Sequence, residues 1–346
     1  MANRLLKQVV GIDVAQKELV VSLGKMDENA VTTVYANKVF SNNEKGFVSM
    51  EAWVIKQTIA EYPLRYVMEA TGVYHERFAY YLTGKGYVVS IIMPNKISNF
   101  FRTLEIKTIT DKSMSAAIAL FGLEKQLDNW VQPKRVYRSL RQVSREREQL
   151  IAERTMIKNQ LHAEQAEAFP GKDTIRRMQD RIKIINTQLK EILAEIKIAI
   201  IKDEDLKHTV ATITTIPGIG LLTATIILAE TNGFELIRSK KQLTSYAGLD
   251  VREKESGISV KGKPRISKRG NKHLRKAMHL PALAAIRYSE RYKAIFRRIV
   301  SRNSVKMKGV VAIQRKLLEM VYTIYKTNKP FQKDYLKPHN TIAQNS

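Results

Sequence analysis

From residue 136 to residue 200 the apolar side chains recur at intervals of three and four. Leu140, Val143, Leu150, Ile157 and Leu161 make one run, and Met178, Ile182, Ile185, Leu189, Ile192, Ile196 and Ala199 make a second. Phe169-Pro170-Gly171 separates the two. That spacing gives each run one apolar stripe along a long helix. Two such helices joined by a helix-breaking link predict an antiparallel hairpin or coiled coil, with a plain helical bundle as the alternative. Arg147 and Arg154 fall where a coiled-coil seam wants apolar groups, so the first helix fits that pattern less well. The stretch divides the 346 residues into a front part, an arm and a back part. We expect domains at 1–130, 131–205 and 206–330, and a polar tail at 331–346.

The front part follows a different period. Residues 6–14, 18–24 and 31–40 are short runs rich in β-branched residues, which predict three successive strands. Residues 44–60 have helical spacing, with Phe47, Met50, Val54 and Ile55 on one face. A strand at 65–69, a helix at 74–84, a strand at 87–93 closed by Pro94, and a helix from about Asp111 to Phe121 complete the set. The order β-β-β-α-β-α-β-α is an α/β layout with a mixed sheet. The back part reads as mostly helical over 206–300, with a basic helical stretch at 303–328.

Charge narrows the function. Lys and Arg number 59 against 33 Asp and Glu, a net charge of +26. Between Arg252 and Lys337 there are 24 Lys or Arg and only five acids, so +19 of the surplus sits there. Like charges this dense call for a polyanion, nucleic acid first and an anionic membrane second. There are no cysteines, which removes disulfides, thiolate zinc sites and a cysteine nucleophile together. The six histidines form no HxxxH or HExxH pair. No apolar stretch approaches the ~20 residues of a membrane span, and the N-terminus lacks a signal-peptide layout. The expectation is a soluble, cytoplasmic, nucleoid-associated protein with no membrane partner.

Three acids stand at element ends. Asp13 ends the first strand, Glu69 ends the fourth, and Asp111 begins the helix after the fifth. If the first and fourth strands are neighbours, their ends bring Asp13 and Glu69 together, and the helix supplies Asp111. Clustered carboxylates repel unless cations bridge them, and oxygen-only ligands favour Mg²⁺ or Mn²⁺. Such ions can activate a nucleophile and stabilise the leaving oxygen of a phosphodiester. Gly11-Ile12-Asp13-Val14 also resembles the first phosphate loop of actin-like sugar kinases. Ala15-Gln16-Lys17 follows in place of the Gly-rich turn that reading needs.

Pro217-Gly218-Ile219-Gly220 lies between two apolar helical stretches. Gly218 and Gly220 allow a tight turn, and the next helix N-terminus can hold a phosphate, a helix-hairpin-helix pattern. Downstream, residues 252–276 carry ten Lys or Arg interrupted by Gly257, Gly262 and Gly270. Arg252, Lys254, Lys261, Lys263, Arg265, Lys268, Arg269, Lys272 and Arg275 suit phosphate-backbone contact. Ser256, Ser259 and Ser267 lie among them, and a serine ringed by cations can act as a nucleophile at phosphorus.

Taken together, GIDVAQKEL, VMEATGVYHERFAYYL, KTITDK, IPGIG and YAGLDVREKESG…GKPRISKRGNKHLRKA resemble the DEDD-type insertion-sequence transposases, serine-bearing recombinases guided by a bridge RNA. The resemblance runs from about residue 8 to residue 300. It implies an RNase H/RuvC-like mixed-sheet domain, a helical arm and a C-terminal domain carrying a serine, both domains serving a composite active site in an oligomer. Asp13, Glu69 and Asp111 match the family's first three acids. The fourth is expected three residues after the third, where this chain has Met114. Ser113, Ser115 or a water are the stand-ins to test. The serine-glycine pair of the basic loop puts the nucleophile at Ser256, with Ser259 next. The implied partners are double-stranded DNA, a structured guide RNA and further copies of the chain, as a dimer or tetramer. Two other readings stay open: a metal-dependent junction endonuclease that uses water, and a non-catalytic nucleic-acid-binding protein.

Overall fold

The computed structural model describes residues 4–70, 72–104, 108–235, 237–252, 255–256, 260–261 and 265–332. The chain forms two compact units, Met1–Gln132 and Pro133–Ser346.

The first unit is built on a five-stranded sheet of β1 (Leu5–Val14), β2 (Glu18–Asp27), β3 (Thr32–Ser41), β4 (Leu64–Glu69) and β5 (Val88–Ile92). The strand order is β3-β2-β1-β4-β5. β1 pairs antiparallel to β2, and β2 antiparallel to β3. β1 and β4 run parallel, as do β4 and β5. Adjacency of the first and fourth strands sets the ends that carry Asp13 and Glu69 side by side. Helices α1 (Glu44–Gln57) and α2 (Glu76–Gly84) cover one face; α3 (Pro94–Phe101) and α4 (Asp111–Glu124) cover the other. The central strand β1 is buried on both faces, which explains its near-continuous apolar run. Sequence reading stopped at Pro94 and missed α3. A proline at the first helical position starts a helix as readily as it ends a strand, since its missing N–H has no partner there anyway.

The second unit opens with α5 (Arg135–Gln165) and α6 (Lys172–Lys202). They pack antiparallel: Arg154 Nη1 donates to Asn186 Oδ1 at 2.8 Å, which accounts for one of the two off-pattern arginines. Leu140, Val143, Ile192, Ile196 and Ile200, near one end of the pair, join the unit's apolar core. At the connection Phe169 is 95% exposed. Then follow α7 (Glu204–Ile213), α8 (Leu221–Glu230), α9 (Lys240–Tyr246), four two-residue strands, α10 (Lys272–Ala277), α11 (His279–Tyr288), α12 (Glu290–Asn303) and α13 (Lys306–Thr327). The basic stretch at 303–328 is therefore largely α13, whose Val310, Ile313, Leu317, Leu318 and Val321 lie in that same core.

Candidate active site

Strand alternation decides which side chains of β1 and β4 meet α4. On β1, Val10, Ile12 and Val14 pack into the α1/α2 core, so Val9, Gly11 and Asp13 face the other way. On β4, Tyr66 and Met68 take the α1/α2 side, which leaves Val67 and Glu69 on the α3/α4 side. The parallel register pairs Ile12 with Met68. Asp13 and Glu69 are thus the next residues along two neighbouring strands, on one face, at the same end.

Gly11 lets α4 lie on that face. A Cβ there would stand 2.3 Å from Ala119 N and 2.4 Å from Ser115 O, both backbone atoms that cannot swing aside. Gly11→Ala should lift α4 from β1 and lower stability by about 3 kcal/mol or more, read by chemical unfolding. An unchanged midpoint would contradict this packing.

Asp111 is the first residue of α4. The helix cap is Thr110: its Oγ1 accepts the Ser113 N–H at 3.1 Å, and Ser113 Oγ accepts the Thr110 N–H at 2.8 Å. Capping thus falls to Thr110 and leaves the Asp111 carboxylate for other use. Its charge reaches Asp13. Burial, then the negative charges of Asp111 and Glu69, push the Asp13 carboxyl up to about 6, against a smaller opposing pull from the Val14 backbone hydrogen bond.

Position 114 does not restore a fourth acid. Met114 packs against the apolar cluster of Val9, Val67 and Ile118. Ser113 is held by the cap. Ser115 is fully buried, sharing a hydrogen bond of 2.8 Å with Ser22 Oγ and donating to Lys112 O at 3.0 Å. Both hydroxyls already have structural duties, which argues against either as the stand-in.

Among the described residues no three His, Cys, Asp or Glu side chains converge closely enough to share one ion. The donor chemistry still fits a hard dication. All three groups are carboxylates, and the Asp13 carboxyl is raised first by burial and then by the charges of Asp111 and Glu69, a repulsion that Mg²⁺ or Mn²⁺ would relieve.

In the second unit, α7 and α8 flank the glycine turn. Gly218 has φ +89°, and a Cβ there would lie 2.6 Å from Pro281 O, so the turn needs glycine. Gly220 caps α8 without a side-chain hydrogen bond. Downstream, β6 (Val251–Arg252) pairs antiparallel with β9 (Arg265–Ile266) and puts Arg252 directly opposite Arg265. Like charges face to face in a ladder are unfavourable without a counter-charge. Arg252, Arg265, Lys268, Arg269 and Lys272 are exposed. Arg275 donates from Nη1 to Ala247 O at 2.8 Å, so part of its guanidinium braces the loop base. β7 (Glu255–Ser256) pairs with β8 (Val260–Lys261), with Ser256 opposite Val260. Lys254, Ser259 and Lys263 lie outside the described residues.

Comparison with known proteins bears on this arrangement. Residues 10–170 match a DEDD-type transposase model, and residues 210–297 match that of the transposase IS116/IS110/IS902 family. A pilin gene-inverting protein of Moraxella bovis is 30% identical over 334 residues, covering 94% of this chain and 98% of that one. The chain belongs to this transposase family. It is thus a DNA transposase/recombinase. The pilin gene-inverting protein of Moraxella lacunata is likewise 30% identical, over 335 residues and 98% of its length. An IS110 insertion-element protein of Streptomyces coelicolor is 24% identical over 177 residues, 48% of this chain and 42% of that one. The solved RuvC structure of Thermus thermophilus bound to a Holliday junction is 11% identical, covering 36% of this chain and 99% of that one, at a TM-score of 0.26. No described helix is long and apolar enough to cross a membrane.

In this transposase the basic loop is anchored by a network that sequence reading missed. Glu230, 3% exposed, accepts from Arg145 Nε at 2.8 Å, Arg145 Nη2 at 2.9 Å and Asn271 Nδ2 at 2.6 Å. Burial would raise the Glu230 carboxyl, but hydrogen bonds from Arg145 and Asn271 overrule it and hold it below the usual carboxylate range. Glu148, one turn along α5, lies 2.6 Å from His273 Nδ1 and accepts from Lys276 Nζ at 2.9 Å. Asn271 and His273 flank the start of α10, where the loop ends, so α5 grips the loop base. Glu230→Gln should cost about 1–3 kcal/mol of stability at pH 7, since it leaves Arg145 without its charge partner. The depressed carboxyl contributes stability above its unfolded value, and that contribution is lost as pH falls through the folded-state value. The wild-type advantage in thermal unfolding should therefore shrink on acidification; a gap that widened would contradict the ion pair.

Proposed function

We propose that this transposase cuts and rejoins DNA with Ser256 as the nucleophile, assisted by a divalent cation on Asp13, Glu69 and Asp111. Asp13 and Glu69, the residues that follow the paired Ile12 and Met68 at one strand end, with the Asp111 charge felt at Asp13, carry the cation part of the reading. Ser256 Oγ attacks phosphorus; its bond to phosphorus forms as one P–O ester bond breaks, and its proton leaves with the freed sugar hydroxyl. A hydroxyl from the other duplex then attacks the phosphoserine and releases the serine, so ester energy is conserved and no ATP is needed. Bound Mg²⁺, or Mn²⁺, supplies Lewis-acid polarisation of the phosphate and charge stabilisation of the leaving oxygen. Asp13, Glu69 and Asp111, which do not converge on one point in the structure, would draw together around it and orient it. The names of the Moraxella relatives record gene inversion, a rearrangement that likewise rejoins what it cuts.

Arg252, Lys254, Lys261, Lys263, Arg265, Lys268, Arg269, Lys272 and Arg275 would neutralise backbone phosphates, with the Gly218–Gly220 turn as a second contact. The facing Arg252 and Arg265 support this, since a polyanion removes their repulsion. A structured guide RNA would be read by shape and backbone, with its base pairing choosing the DNA. The α5/α6 pair, as a coiled coil, would join copies of the chain; exposed Ile184, Ile198 and Ile201 on α6 support that.

The test is excision in cells. Wild type, Asp13→Ala and Ser256→Ala are expressed beside the native flanking DNA, and circular junctions are sought by PCR and sequencing. Circles from wild type alone are expected. Circles that survive Ser256→Ala would return the chemistry to water.

A further inference from the structure

The α3/α4 face of β1 and β4 carries carboxylates at one end and cations at the other. Alternation from Asp13 back through Gly11 and Val9 reaches Lys7; from Glu69 back through Val67 it reaches Arg65. α4 spans the two ends, with Asp111 as its first residue and Lys125 as its C-cap. Lys7 lies six residues before Asp13 on β1, roughly 20 Å away at strand rise. Lys7, Arg65 and Lys125 line a cavity of about 410 Å³ whose lining contains no carboxylate.

Lys125 Nζ lies 3.8 Å from Glu124 Oε2 at a partly exposed site, a weak pairing, while Arg65 and Lys7 are held by uncharged groups. Arg65 Nη1 donates to Ser90 Oγ at 2.7 Å and to Asn129 Oδ1 at 2.9 Å, both uncharged. Ser90 is fully buried and donates to Asp128 O at 2.8 Å, which fixes the guanidinium against β5. Lys7 Nζ makes a long contact of 3.3 Å to Gly122 O. Burial, then the neighbouring Arg65 charge, lower the Lys7 ammonium from its ordinary value, so the two cations feel one another. The approach of α4 is close here as well: a Cβ at Gly122 would stand 2.8 Å from Val9 and Val67 side chains. Leu64, Val88 and Leu127 supply apolar wall between the charges.

We propose that this cavity is a second, non-catalytic binding site for a phosphate-bearing nucleotide unit. The Arg65 fork and the two ammonium groups would take the phosphate, and the apolar wall the sugar or base. An Arg fork with flanking lysines matches phosphate geometry and charge. The volume lies in the range of small-molecule sites, well beyond a lone phosphate ion. The nucleotide unit is either free or part of a strand, and both present the same chemistry. The site stands apart from the carboxylates and does not depend on the recombination reading.

Hydrogen–deuterium exchange on the full-length protein tests it, with AMP, adenosine and a short single-stranded oligonucleotide as probes. AMP or the oligonucleotide should slow exchange in segments 57–64 and 122–130, and adenosine should not. Protection by AMP alone assigns a free nucleotide; protection by the oligonucleotide alone assigns a strand phosphate. Lys7→Gln with Lys125→Gln should raise the concentration for half-protection there about tenfold or more, as loss of charge-assisted contacts implies. The 206–300 segments should keep their response. Lys125→Gln alone, at an exposed position, should give a smaller shift in the same direction and guards against misfolding. Asp13→Asn should leave the protection intact. Absence of protection by either phosphate probe, equal protection by adenosine, or protection unchanged in the double variant would each overturn the site.

Discussion

Asp13→Asn should sharply reduce recombination and make the metal-free protein harder to unfold. The two effects share one cause. The Asp13 carboxyl sits at about 6 against an ordinary 3.8 because burial and the charges of Asp111 and Glu69 disfavour its ionised form. A raised carboxyl gives stability that is fully present below its unfolded value and is lost as pH rises through the folded one. At pH 7 the ionised group therefore costs the fold about 1–2 kcal/mol, the full 1.36 kcal/mol per pH unit being reduced by solvent screening of a partly exposed carboxylate. The asparagine variant avoids that cost. In chelator at pH 7 it should unfold later than wild type, and the gap should close as pH drops from 6 to below 4. Mg²⁺ should reverse the order, stabilising wild type through the carboxylates and the variant much less. Recombination should fall at least 10²–10³-fold, the scale for removing one preorganised electrostatic group. Unfolding curves in chelator that coincide at pH 7 would mean that Asp13 is not under that repulsion.

Ser256→Ala should have the second large effect. Loss of a nucleophile removes the step itself, on the order of 10⁴-fold or more. DNA binding should keep its affinity and its salt slope, because the alanine removes no cation. This separates the serine mechanism from its rivals. A water-using nuclease would still nick DNA in the Ser256→Ala form and lose nicking in Asp13→Asn. A binding protein would show the salt slope and no cleavage in any form.

The strand-end positions of Asp13 and Glu69 were legible from the β-branched runs, but that β1 and β4 are neighbours is seen only in the folded sheet. The helix start near Asp111 was legible too, and the structure begins α4 at that residue. α3 was not legible because Pro94 serves both to stop β5 and to start a helix, and proline alone does not choose. Met114 could be seen as a missing acid. Its packing against Val9 and Val67, and the duties of Ser113 and Ser115, appear only once α4 lies on the sheet. The grip of Arg145 on Glu230 and the meeting of Lys7, Arg65 and Lys125 depend on folding distant segments together. No spacing rule in one sequence marks such pairs, since each residue alone reads as a solvated surface charge.

The central claim is a covalent link between Ser256 and DNA. The direct measurement traps it: wild-type protein with Mg²⁺ and a nicked donor substrate that cannot religate, followed by denaturing gel and mass spectrometry of the adduct. The account predicts one protein–DNA species, its phosphate on Ser256, absent in Ser256→Ala and in Asp13→Asn. Cleaved DNA with no covalent protein, or a phosphate on another residue, would contradict it.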